Sequence, residues 1–197
     1  MANWVYNSMT VTGPEEDITR FMEVMSRPRP HKIEQEDGTY TIGVVEDEKP
    51  SLLSFWNTVA PTDLTEYFTE ASSDRNPLNW YVWNIDNWGT KWDAGHAEVS
   101  RDSETRVYYN FETAWSSPDA FYVALSEQWP TLDFSVTWEE EQGFGEELEM
   151  KDGEVTVLRS WDIPNSHQDF IDQDKEDQCI CTWSDDEEEW FDDCPRG

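Results

Sequence analysis

Forty-four aspartates and glutamates face only 13 lysines and arginines in this 197-residue chain, which leaves a formal net charge of -31 at neutral pH. A carboxylate removed from water without a partner either carries a heavy desolvation penalty or gives up its charge. With so few cations to pair with, nearly all of these acids must lie at the surface, and any core has to be assembled from what remains. That remainder is rich in large rings: 12 Trp, 9 Phe and 7 Tyr. Each ring buries about 150–250 Å², so a hydrophobic share of 37% still supports a core and argues against a wholly disordered chain. The length suits one main domain with an extension.

The same charge limits the partners. It far exceeds the magnitude of about 2–8 that solubility asks of a small domain. Such a field repels DNA, RNA and anionic membranes and draws in basic surfaces, so direct nucleic-acid binding and membrane association are not expected. No stretch approaches the roughly 18 apolar residues of a spanning helix, and the opening Met1-Ala2-Asn3-Trp4 lacks the basic start and apolar core of a signal peptide. The expected location is the cytoplasm. Three cysteines, Cys179, Cys181 and Cys194, crowd one end in an odd number, which fits reduced thiols better than a secreted disulfide framework.

Residue patterning predicts a mixed α+β fold. Trp4 to Val11 favours a strand that Gly13-Pro14 ends; acids at 15–17 and the spacing of Ile18, Phe21, Met22 and Met25 then predict a helix from Pro14 to Ser26. Residues 31–79 read as an insertion, with a strand within 39–45 and a short helix within 61–71. Ala97–Arg101 and Thr105–Phe111 form a predicted hairpin. Ser117-Pro118-Asp119 opens a second helix with Phe121, Val123, Leu125 and Trp129 for burial, and Leu132, Phe134, Val136 and Trp138 share one face of a following strand. The order strand, helix, strand, strand, helix, strand is the ferredoxin-like split βαβ arrangement. A hairpin of residues 148–151 and 155–159, turned by Asp152-Gly153, is expected to lengthen the sheet. The predicted domain spans 1–163, and 164–197 form an acidic tail in which residues 169–193 show neither helical nor strand period.

Three local patterns carry a family resemblance. They are the opening Met1 to Gly13 with its Tyr6-Asn7-Ser8; the run Trp83-Asn84-Ile85-Asp86-Asn87-Trp88-Gly89-Thr90-Lys91-Trp92-Asp93-Ala94; and Phe111 to Pro118 taken with Trp138 to Glu141 and Gly143 to Glu146. Together they resemble the YubB-type ferredoxin-like family of bacteriophage and plasmid proteins. The resemblance covers residues 1–26 and 80 to about 150, and it implies a ferredoxin-like core and a mobile-element origin. It implies no catalytic residue. The excess of acid and the tail after Pro164 depart from the family pattern.

The candidate site is therefore the acid itself. Its densest parts are Glu139, Glu140 and Glu141, Glu146 and Glu147, then Asp172, Asp174, Glu176, Asp177, Asp185, Asp186, Glu187, Glu188, Glu189, Asp192 and Asp193, with Trp183 and Trp190 set among them. Duplex DNA carries one charge per roughly 1.7 Å of axis, and a dense carboxylate face imitates it toward a basic groove. Aromatic anchors would add contact energy there. The expected function is that of a non-enzymatic phage or plasmid accessory protein, which binds and blocks a basic nucleic-acid-binding protein of a host defence system such as restriction or CRISPR. The alternative is an assembly module forming a homodimer, its acidity serving solubility or salt adaptation. His167, Cys179, Cys181 and Cys194 are zinc-ligand types, yet they lack the paired spacing of a zinc site, and no metal or other cofactor is expected. Trp80, Trp83, Trp88 and Trp92 read as core and loop anchors, with Gly89 permitting a tight turn. His31 and His96 have no nucleophile or acid at catalytic spacing, and there is no phosphate loop.

Overall fold

The chain opens on a strand, β1 (Trp4–Thr12), whose residues alternate between a buried set, Val5, Asn7, Met9 and Val11, and an outward set that includes Tyr6 and Ser8. That alternation fixes one covered face and one that is bare among the described residues. The computed structural model describes residues 3–45, 51–69, 78–164, 167–173, 183–184 and 189–190, with His167 and the last two pairs described by backbone alone. Helix α1 (Glu15–Met25) follows, with Glu15, Glu16 and Asp17 in its first turn, where the helix dipole favours them. Ile18, Phe21 and Met25 form its buried stripe.

A small hairpin, β2 (His31–Glu34) with β3 (Tyr40–Gly43), comes next; then a 3₁₀ turn (Phe55–Asn57) and α2 (Leu64–Tyr67), which Asp63 caps by accepting from the backbone N–H groups of Thr65 and Glu66. Helix α3 (Trp80–Trp88) starts at an Asn79 cap and stops at Gly89, whose φ of 86° is left-handed. The hairpin β4 (Gly95–Ser103) and β5 (Arg106–Ala114), helix α4 (Asp119–Gln128) and β6 (Asp133–Glu140) complete the core order. Beyond them, β7 (Gly145–Lys151), β8 (Glu154–Trp161), α5 (His167–Asp172) and the two-residue strands β9 (Trp183–Ser184) and β10 (Glu189–Trp190) are formed.

The main sheet is antiparallel with strand order β4-β5-β1-β6-β7-β8. With β7 and β8 set aside, the order is the second, third, first and fourth strands of the ferredoxin-like split βαβ unit. The core lies on one face of the sheet, where α1 and α4 place Ile18, Phe21, Phe121 and Leu125 against Met9, Val11, Tyr109 and Phe134. Phe21 stands edge-on to Tyr109 and Trp129 at 5.8 and 5.3 Å, and Phe55 meets Phe121 at 4.1 Å. Trp83 and Trp88 are buried in the same core, and the Trp88 indole Nε1 donates to the Val59 carbonyl at 2.9 Å.

Two expectations fail in detail. Val123 is exposed, and its neighbour Tyr122 is buried in its place. The reason is polar: the Tyr122 hydroxyl donates to Asn7 Oδ1 at 2.9 Å, while Asn7 Nδ2 donates to the Val5 carbonyl and to Thr113 Oγ1. An amide in the middle of the covered face is thereby fully satisfied. The stretch after Pro164 also contains a helix, α5, with Phe170 buried; six residues with one apolar anchor are too short to display a helical period.

A bare acidic sheet face as candidate partner-binding site

Strand alternation splits the acid runs of the sequence. Glu140 pairs with Val5 on the covered side and is buried, accepting from Asn3 Nδ2 at 2.7 Å and from the Gln142 backbone N–H at 2.6 Å. It is a loop clamp rather than a docking residue, which corrects its assignment to the surface. Glu139 points to the bare face, where its Oε2 accepts from the Trp161 indole at 3.1 Å. Glu141 stands at the following turn and accepts from the Trp4 N–H. Glu146 and Glu147, adjacent in sequence, lie on opposite faces of β7: Glu146 is opposite Trp138 on the covered side and Glu147 opposite Thr137 on the bare side. Burial, and after it the charge of Asp119, raise the Glu146 carboxyl above its ordinary pKa.

What the fold brings together instead is a set scattered in sequence. Cross-strand pairs share a face, so the registers place Tyr6, Ser8, Thr10 and Thr12 of β1 beside Glu112, Asn110, Tyr108 and Arg106 of β5 and beside Glu139, Thr137, Ser135 and Asp133 of β6. Outward from these stand Glu98 on β4, Glu147, Glu149 and Lys151 on β7, and Glu154, Thr156 and Arg159 on β8. Seven carboxylates (Glu98, Glu112, Asp133, Glu139, Glu147, Glu149 and Glu154) thus share the bare face with Arg106, Lys151 and Arg159.

The cations are engaged by their own chain. Lys151 pairs with Asp133, Arg106 with Asp102 at 3.9 Å, and Arg159 donates to the Asp172 carbonyl at 2.6 Å with its guanidinium over the Trp161 ring. His96 Nδ1 lies 2.7 Å from Glu112. Among the described residues no ion pair holds Glu98, Glu147, Glu149 or Glu154. Same-face residues along a strand are about 6.6 Å apart and neighbouring strands about 4.8 Å, so these acids occupy a flat grid. A hollow of about 390 Å³ lies within it, lined by Thr10, Thr12, Asp133, Ser135, Glu149, Lys151, Glu154 and Thr156.

Of the other expected site residues, Asp172 is exposed at the end of α5, where Gln168 donates to it. Glu189, Trp183 and Trp190 are described by backbone alone, with Trp183 opposite Trp190 in the β9–β10 pair. Asp174, Glu176, Asp177, Asp185, Asp186, Glu187, Glu188, Asp192 and Asp193 lie outside the described residues, as do Cys179, Cys181 and Cys194. Among the described residues no group of His, Cys, Asp and Glu is placed to hold a metal ion, and no helix is long and apolar enough to cross a membrane.

Residues 87–182 match the family model for a ferredoxin-like domain in Api92-like protein. The match begins within α3 and takes in β4 to β8, whereas β1 and α1, which complete the split βαβ order, precede it. The fold is similar to the crystal structure of protein api92 from Yersinia pseudotuberculosis, with a TM-score of 0.58, 9% sequence identity, and coverage of 83% of this chain and 99% of that one. At that identity the likeness speaks for the fold alone. No curated protein matches the chain in sequence.

Proposed function

We propose that this protein is a non-enzymatic accessory protein of a phage or plasmid, of the YubB type, whose bare sheet face docks on a basic groove of a nucleic-acid-handling protein and occludes it. The observation that carries this reading is the grid of carboxylates whose neighbouring cations are already engaged within the chain, so that its negative field is left for a partner. In the same reading residues 31–79 are an insertion, residues 164–197 add an acidic, tryptophan-bearing extension to the docking surface, and the protein acts in the host cytoplasm. A defence nuclease of the restriction or CRISPR type has the required groove.

The test is capture of partners from host lysate, followed by competition with duplex DNA at several salt concentrations, using the wild type and an E98Q/E147Q/E149Q/E154Q variant. Occlusion of a nucleic-acid groove predicts that DNA displaces the captured protein, that affinity falls steeply with salt, and that the fourfold variant loses capture. Binding indifferent to both DNA and salt would refute it.

A second reading, an assembly module, is favoured by β8 alone. It is the edge of the sheet, and Val157 and Leu158 are more than half exposed there; an open edge of this kind invites pairing with a second copy. Sedimentation of V157K/L158K against wild type separates the two readings, since only the assembly reading makes the mass depend on that edge.

A further inference from the structure

On the helical side of the molecule, a cleft of about 350 Å³ opens between α2, α3 and the loop that leads into β4. Its walls are aromatic: Tyr67 and Phe68 of the α2 end, Trp80 at the start of α3, and Trp92, which is 39% exposed. Arg29 also lines it, one of few cations in a strongly anionic chain. The placement of that guanidinium is built by the fold. Asp93 is held by donors from Ser54 Oγ and the Phe55 backbone N–H, both at 2.6 Å, and from the Ala94 N–H at 2.9 Å, and the Arg29 Nε lies 3.4 Å from its Oδ2. The ion pair with Asp93 runs through Nε, so the terminal nitrogens are the part of Arg29 offered to a ligand.

We propose that this cleft binds a small flat-ring compound carrying an anionic group, the ring stacked on Trp80 and the anion on the terminal nitrogens of Arg29. The volume is near the lower end for small-molecule sites, which span about 300–1,000 Å³, and so suits one ring with its charged substituent. Ring stacking on the half-buried Trp80 and a forked guanidinium for a phosphate or carboxylate are the two contacts on offer. The remaining polar groups are self-satisfied: Asn84 accepts from the Tyr67 hydroxyl at 2.9 Å and donates to the Lys91 carbonyl at 2.8 Å. They shape the wall and leave the charge recognition to Arg29. This site lies apart from the bare sheet face and does not depend on the docking reading.

Nitrogen-15 NMR of the full chain, following the tryptophan indole signals, tests the proposal with four probes: adenosine 5′-monophosphate, indole-3-carboxylate, adenosine and inorganic phosphate. The expected result is that one or both ring-plus-anion probes shift the Trp80 and Trp92 indoles, at least about tenfold more tightly than adenosine or phosphate alone. Which of the two binds distinguishes a nucleotide from an aromatic acid. R29Q is expected to weaken that binding about tenfold or more while R29K keeps part of it, and W80A to weaken it without touching the Arg29 clamp. Silence of both indoles with every probe overturns the proposal, as does unchanged affinity in R29Q and W80A.

Discussion

Gly89 ends α3 where it meets the start of α4, and its surroundings set the cost of filling it. Its φ of 86° lies in the left-handed region, where a side chain costs about 1–2 kcal/mol. A Cβ there would also stand 2.9 Å from the Asp119 nitrogen, 3.2 Å from the Ala120 nitrogen and 3.3 Å from the Pro118 carbonyl carbon. All three are backbone atoms at the start of α4. They cannot swing aside, and the Gly89 carbonyl is tied to Ser116 Oγ at 2.6 Å. Forced repacking of this kind costs about 1–3 kcal/mol, so Gly89→Ala is expected to destabilise by about 2–5 kcal/mol in total.

Gly38 supplies the internal standard. Its φ is 81°, yet nothing lies within 4 Å of the position a Cβ would take. Gly38→Ala therefore carries the left-handed penalty alone, about 1–2 kcal/mol, and both variants share the same loss of unfolded-state freedom. The difference between them isolates the close docking of α3 on α4. Urea unfolding of wild type and both variants measures it as midpoint shifts at a common slope. Equal midpoints for G89A and G38A would show that the approach of the two helices is soft and that the reasoning from backbone contact is wrong.

Tyr122→Phe removes the phenol that donates to Asn7 Oδ1 in the core, and leaving that buried acceptor unmet is expected to lower unfolding stability by about 1–3 kcal/mol in the same urea assay. Glu146→Gln should act in the opposite sense: burial and Asp119 raise the native pKa of Glu146, so the native state holds its proton longer than the unfolded chain and stability falls as pH rises through the raised value. The glutamine variant is thus expected to be more stable than wild type at pH 7 and equal to it at pH 3, and denaturant titrations at the two pH values read the sign. Glu140→Ala is expected to cost about 1–3 kcal/mol by stranding Asn3 and the Gln142 N–H, while Glu149→Gln, at an exposed position, leaves stability within about 0.5 kcal/mol of wild type.

The core order was legible because strong punctuation frames it. Gly13-Pro14, Pro118 and Pro130 bound elements whose apolar residues keep a clean period of two or of nearly four, and β1, α1, β5 and β6 fall where that reading puts them. Helix α3 was not legible. Trp80, Tyr81, Val82, Trp83, Ile85 and Trp88 place apolar groups around most of its circumference, and only the Asn79 cap and Gly89 mark its ends. Glu140 and Glu146 escape a sequence reading for a different reason: neighbours in sequence are not neighbours in space on a strand. Once Leu132, Phe134, Val136 and Trp138 are assigned one face of β6, alternation already sends Glu140 inward with them and Glu139 outward. Glu98, Glu112 and Glu154 stand as single acids in the sequence, and only strand register brings them to a common face.

That distribution bears on what the charge is for. Two carboxylates about 6.6 Å apart on one strand repel in water by about 0.6 kcal/mol, and salt lowers this further. A handful of such pairs weighs little against the roughly 5–15 kcal/mol that stabilises a domain, so the fold tolerates the grid whether or not a partner exists. Tolerance cannot be what distinguishes docking from mere solvation. What the docking proposal rests on is the cations: Lys151, Arg106 and Arg159 are each turned to a partner within the chain, and no ion pair among the described residues holds Glu147 or Glu149 beside them. The strands fix the backbone spacing of these acids before any encounter, so a basic partner meets them at the cost of ordering side chains alone. In the docking reading proposed above the acids must also stand at a set spacing, and strand register supplies that spacing.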